Sequence, residues 1–289
     1  MKAQNPTFIP GPTNLPETLR KAVDIATVDH RSPAFGEILR PALKGVKAVL
    51  ATITAEVILF PSTATGAWES SITNLLSPGD RVLAGRYGVF SQRWIDMCRR
   101  HGLTVDAVET QWGEGAPADR FRDILEKDTA FEIKAVLVTH NETATGVASD
   151  VAAVRSVLND LNHPALLLVD GVSSIASMDF RMDEWGVDVA IVGSQKGFML
   201  AAGLAIAAFS PKAMACVSSA KLPRCYFDIR DMLGSYNADT YPYTPPVSLI
   251  NGLKVATEIL LDEGMPQVYE RHNRLAGLWG QGGRPGLGS

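Results

Sequence analysis

Cysteine is scarce in this chain: Cys98, Cys216 and Cys225 are the only three in 289 residues. None sits in a CxxC pair and the count is odd, which argues against a disulfide framework or a zinc site and favours a reducing, cytoplasmic setting. Runs of positive charge are also missing. The longest is Arg99-Arg100, and the net charge is −4, so a protein built to grip a nucleic-acid backbone is not expected. There is no apolar stretch of membrane-spanning length, and residues 1–10 hold no apolar core of a signal peptide. Finally, neither a GxGxxG nor a P-loop motif occurs, so any phosphate site must be built in another way.

What is present is alternation. Near-continuous apolar runs, Lys134-Ala-Val-Leu-Val-Thr139 and Ala165-Leu-Leu-Leu-Val-Asp170, read as strands buried on both faces. Val57-Ile-Leu-Phe60, Asp80-Arg-Val-Leu-Ala84 and Val187 to Ser194 read likewise. Between them, Gly66 to Leu76, Ser91 to His101 and Val151 to Leu161 carry apolar residues at helical spacing, with Asp150 placed to cap the last. This order predicts an α/β fold with a mostly parallel sheet flanked by helices. Ligands in such folds bind at the carboxyl ends of strands.

Three features sit at those ends. Asp170 closes one strand, and a carboxylate there needs a cationic partner unless it serves as a simple turn or cap residue. Lys196 follows the next strand. A lysine in partly desolvated surroundings is driven toward the neutral amine, the form that attacks a carbonyl; a surface lysine is the bland alternative. Third, Phe60-Pro-Ser-Thr-Ala-Thr-Gly66 runs from a strand into a helix, and small hydroxyl residues there make an anion cradle at the positive end of the helix dipole. A lysine, an acid and a phosphate cradle together match the needs of pyridoxal 5'-phosphate.

These segments carry a resemblance. Pro10-Gly-Pro-Thr-Asn-Leu-Pro16, Ser62 to Glu69, Thr139-His-Asn-Glu-Thr-Ala-Thr-Gly146, Asp170-Gly-Val-Ser-Ser174 and Gly193-Ser-Gln-Lys196 are similar to motifs of the class V, fold type I aminotransferases, in particular the alanine/serine–glyoxylate group. The resemblance covers about residues 7 to 276. It implies transamination of a small amino acid, serine or alanine with aspartate as a further candidate, with glyoxylate as acceptor. It implies that Lys196 forms the Schiff base, that Asp170 pairs with the pyridine nitrogen, and that Thr63, Ala64 and Thr65 hold the phosphate with Gln195 beside them. The family commonly has Ser-Gly where this chain has Thr63-Ala64. By the same resemblance Phe90 stacks on the cofactor ring, Thr143 bonds near its hydroxyl, Ser174 supports Asp170, and Gly11 lines the substrate pocket. Tyr241 and Thr244 match residues that reach the phosphate of a neighbouring subunit, which implies a homodimer with a composite site. His140 reads as a structural histidine beside the cofactor.

The expected layout is an N-terminal segment lining the site (1–20), a cofactor-binding large domain (21–263) and the start of a small domain (264–289). Six of residues 277–289 are glycine, which predicts that the preceding helix ends there. The family's carboxylate-binding arginine lies beyond that region, and Arg271, Arg274 and Arg284 do not match its motif. Two other readings stand beside the transaminase: a lyase or desulfurase of the same fold, and a truncated remnant impaired in catalysis.

Overall fold

The apolar runs become strands of one sheet. The structure, a computed structural model, describes residues 9–282, with the backbone alone for 278–282. Its strands are β1 (Glu56–Phe60), β2 (Arg81–Arg86), β3 (Thr104–Glu109), β4 (Ile133–Thr139), β5 (Asn141–Glu142), β6 (Val147–Ala148), β7 (Leu166–Asp170), β8 (Val189–Gly193) and β9 (Ala205–Phe209). Seven form a sheet in the order β1-β9-β8-β7-β4-β2-β3, while β5 and β6 make a small hairpin after β4. All neighbouring pairs from β8 to β3 are parallel. β9 runs antiparallel to both β8 and β1, so β1 points the same way as β8. β7, β8 and β9 are buried at every residue, as strands covered on both faces must be.

The helices are α1 (Glu17–Val23), α2 (Pro33–Val49), α3 (Ala64–Leu75), α4 (Val89–Arg100), α5 (Ala118–Leu125), α6 (Val151–Asp160), α7 (Pro211–Cys216), α8 (Ile229–Tyr236), α9 (Val247–Glu263) and α10 (Met265–Gly282). α1 and α2 pack against α9. α6 begins as expected: the Asp150 carboxylate accepts the Ala153 N–H at 2.8 Å. α3 and α4 lie side by side on the sheet, locked by the stacked rings of Trp68 and Trp94 at 5.7 Å.

One expectation is corrected. The helix of residue 265 onward does not stop at Gly277 but continues to Gly282. Glycine costs a helix about 1 kcal/mol per residue relative to alanine without forbidding it. The remainder of the glycine-rich tail, 283–289, and residues 1–8 at the amino end lie outside the described residues. Among the described residues no helix is long and apolar enough to cross a membrane.

Candidate active site

Because six strands share one direction, their carboxyl ends share one edge of the sheet. The loops after β1, β2, β4, β7 and β8 converge there on a cavity of about 250 Å³. Lys196, Asp170, Thr63, Ala64, Thr65, Phe90, Thr143, Gln195 and Gly11 all line it. That is nine of the positions read from the sequence, brought together from six separate segments of the chain.

Lys196 lies three residues past β8. Its Nζ donates to the Pro10 carbonyl at 3.2 Å, and burial holds its pKa below the ordinary lysine value, opposed by the charge of Asp170. The amino-terminal segment crosses this loop: Thr13 N–H donates to the Gln195 carbonyl at 3.0 Å, and Thr13 Oγ1 to the Lys196 carbonyl at 3.3 Å. Gly11 is where the two strands of chain meet most closely. A Cβ there would lie 2.4 Å from Lys196 Cδ and 2.7 Å from Nζ, so any side chain at this position collides with the lysine.

Asp170 is the last residue of β7 and is 4% exposed. Burial pushes its pKa up to about 7, with a further rise from Glu142; the Val172 N–H and Lys196 act against it. The Val172 N–H bonds Asp170 Oδ1 at 2.9 Å. A desolvated carboxyl group with one backbone donor is under-supplied with positive charge.

α3 starts at Ala64 with its amino end on the cavity, and Thr63 makes no side-chain cap bond. The first N–H groups of a helix have no partner within the helix, so this end offers donors and a positive dipole to an anion. Two cavity-lining side chains also keep a buried polar atom without a hydrogen-bond partner, Gln195 Oε1 and Trp68 Nε1. The lysine, the acid and the unoccupied donors fit the functional groups of pyridoxal phosphate.

Other positions fall elsewhere. Ser174 is fully buried, off the cavity wall, with an unpartnered hydroxyl. Tyr241 is buried and donates its hydroxyl to the Leu59 carbonyl of the same chain, and Thr244 is exposed; neither lines this chain's cavity. His140 packs its ring against Phe180 and Trp185, and burial drops its pKa to about 4, so it is neutral at pH 7. Residues that the sequence reading passed over complete the wall: Asn141, Ser173, Val172, Pro12, Trp68 and Ala202. Asn141 Nδ2 donates to Ser173 Oγ at 2.9 Å, and that hydroxyl donates back to the Asn141 carbonyl. Their position directly after β4 and β7 was the available signal. None of the three cysteines lines the cavity.

Comparison with known proteins places this architecture. The aminotransferase class-V profile matches residues 18–279. A curated relative, the L-aspartate–glyoxylate aminotransferase of Paracoccus denitrificans, is 67% identical over 96% of this chain and 70% of its own length. The serine–glyoxylate aminotransferase of Hyphomicrobium methylovorum is 49% identical over 93% of this chain and 67% of its own length. Among solved structures, an alanine–glyoxylate aminotransferase from a Nostoc species superimposes with a TM-score of 0.86 at 29% identity, covering 95% of this chain and 73% of that one. The match runs through every loop that builds the cavity beyond the amino-terminal segment, and the chain belongs to the class-V aminotransferase family.

Proposed function

We propose that this chain binds pyridoxal 5'-phosphate in the cavity and moves the amino group of a small amino acid to glyoxylate. The observation that carries the reading is that Lys196 and Asp170, from the ends of neighbouring strands, line one cavity whose further wall is the amino end of α3. When bound, the cofactor supplies a conjugated ring that takes up the electron pair left on the substrate α-carbon.

The residues divide the remaining work. The Lys196 amine, shifted toward its neutral form by burial, would hold the cofactor aldehyde and, once released by the incoming substrate amine, would carry the α-proton. Asp170 would accept a hydrogen bond from the protonated ring nitrogen and keep the proton there, which gives its buried carboxyl group the cationic partner it otherwise has only in part. Thr63, Ala64 and Thr65 hold the phosphate with Gln195. Phe90 stacks on the ring, a contact worth ~0.5–1.5 kcal/mol beyond burial. Thr143 bonds at the ring hydroxyl, Ser174 backs Asp170, and Gly11 keeps the substrate side open. Thr244, which is exposed, would serve the phosphate of the partner in a cytoplasmic homodimer, whereas Tyr241, buried with its hydroxyl on Leu59 of its own chain, would have to give up that bond to do the same. The amino-terminal segment up to residue 20 gives Gly11 and Pro12 to the cavity wall, 21–263 form the cofactor domain, and a smaller domain begins at 264.

Aspartate is the first donor to test, since the aspartate–glyoxylate relative is more similar than the serine–glyoxylate relative. The protein, mixed with pyridoxal phosphate and reduced with borohydride, is expected to carry the cofactor mass on the peptide containing Lys196. In a separate, unreduced sample, glyoxylate should yield glycine faster with aspartate than with serine or alanine. A wild-type protein with no reducible adduct at Lys196 ends this reading.

A further inference from the structure

The loop after β4 holds a carboxyl group that the proposed chemistry does not use. Glu142 is 0% exposed, and a buried carboxylate persists only when well supplied with donors. Here it is. Glu142 Oε2 accepts the backbone N–H of Phe90 at 3.1 Å, that of Ser91 at 3.0 Å and the Ser91 hydroxyl at 3.2 Å. Its Oε1 accepts the Ala144 N–H at 3.2 Å.

Phe90 and Ser91 lie in the first turn of α4, whose N-cap is Gly88. Glycine has no side chain to cap the helix. The cap comes instead from a residue about fifty positions later, and Gly88 makes room for it: a Cβ there would lie 2.2 Å from Glu142 Cγ. A local cap would fix only the helix. A cap from a distant loop fixes the helix relative to that loop. The two parts joined are both cavity walls, since Phe90 rides on α4 and Thr143 follows Glu142 in the chain.

We infer that Glu142 is a positioning residue for the cofactor: its carboxyl group clasps the amino end of α4 to the loop of residues 141–146 and so sets Phe90 and Thr143 at the separation that the pyridoxal ring requires. This rests on the cofactor reading above. It also explains why a second buried acid is tolerated near Asp170, where its charge adds to the effect of burial.

A double-mutant cycle tests it. The dissociation constant of pyridoxal phosphate and the induced circular dichroism of the bound ring are measured for wild type, Glu142→Gln, Phe90→Leu and the double variant. Glu142→Gln is expected to weaken binding about tenfold, because the amide keeps only one acceptor oxygen and turns its NH2 against buried backbone donors that the carboxylate served with two, and to alter the ring dichroism. In the Phe90→Leu background the same change should cost less than about threefold, because the two residues act through one contact. Wild-type-like binding by Glu142→Gln, or an equal loss in both backgrounds, overturns the inference while leaving the cofactor reading intact. Failure of the wild type to bind the cofactor removes both. If Glu142→Gln does not fold, Ser91→Ala carries the same cycle, since it keeps the acid and deletes the hydroxyl bond to Glu142 together with that hydroxyl's local bonds to Tyr87 and Gly88; a loss that vanishes with Phe90→Leu supports the inference and an undiminished one overturns it.

Discussion

Asp170 shows how far one position can govern the behaviour of the protein without its cofactor. Its carboxyl pKa is raised by burial to about 7, against an ordinary unfolded value near 3.9. The folded state therefore binds this proton more tightly than the unfolded chain. Below about pH 4 both states are protonated and the residue is neutral in its effect. As the pH rises toward about 7 the unfolded chain ionises first, so folded stability falls, by as much as ~4 kcal/mol at 1.36 kcal/mol per pH unit. We predict that urea unfolding of the cofactor-free protein shows this loss between about pH 4 and 7 and levels off above it, and that Asp170→Asn removes it. Gly11 gives a second prediction at this scale. Gly11→Ala places a methyl against the Lys196 side chain at a backbone φ of +155° that side chains rarely adopt, so the unfolding midpoint should drop and borohydride trapping at Lys196, measured well below that midpoint, should fall sharply. An equal trapping yield would show that the amine has room to move aside.

Among the elements, α2 and α9 make a close helix pair through a small residue. A Cβ on Gly45 would lie 2.1 Å from Thr257 Oγ1 of α9, so Gly45→Ala should force the helices apart and cost ~1–3 kcal/mol, the usual penalty of overpacking. Asp150→Ala removes the cap of α6 and should cost ~1 kcal/mol. Both are read from denaturant midpoints. The elements also show what was legible in the sequence. Strands β4, β7 and β8 were readable because burial on both faces demands unbroken apolar runs. β3 was not: it is an edge strand of sequence Thr-Val-Asp-Ala-Val-Glu, with charged residues inside it. β9 was hidden by three alanines in Ala-Ile-Ala-Ala-Phe, residues with little strand preference. Lys196, Asp170 and the Thr63 cradle could be found because each ends a readable strand or opens a readable helix. Glu142 could not, since its partners Phe90 and Ser91 are joined to it only by the fold. Trp68 and Ala202 lie in a helix and a turn whose facing is equally invisible in sequence.

For the whole molecule, the proposed dimer can be tested at Thr244, which is exposed and lies away from the cavity formed by its own chain. We expect purified protein to sediment as a dimer. Mixing Lys196→Ala with Thr244→Ala protein, each weak in cofactor binding alone, should restore tight binding in hybrid dimers at about a quarter of all sites, given random pairing. No recovery after subunit exchange would assign Thr244 a role within its own chain. The crossing of residues 10–13 over the lysine loop has a practical outcome of its own. Thr13 is bonded to the backbone of Gln195 and Lys196, and the lysine amine rests on Pro10. Cleavage within residues 10–13 is therefore expected to release these contacts on the lysine loop, and in the protein loaded with pyridoxal phosphate it should register as a change in colour of the bound vitamin.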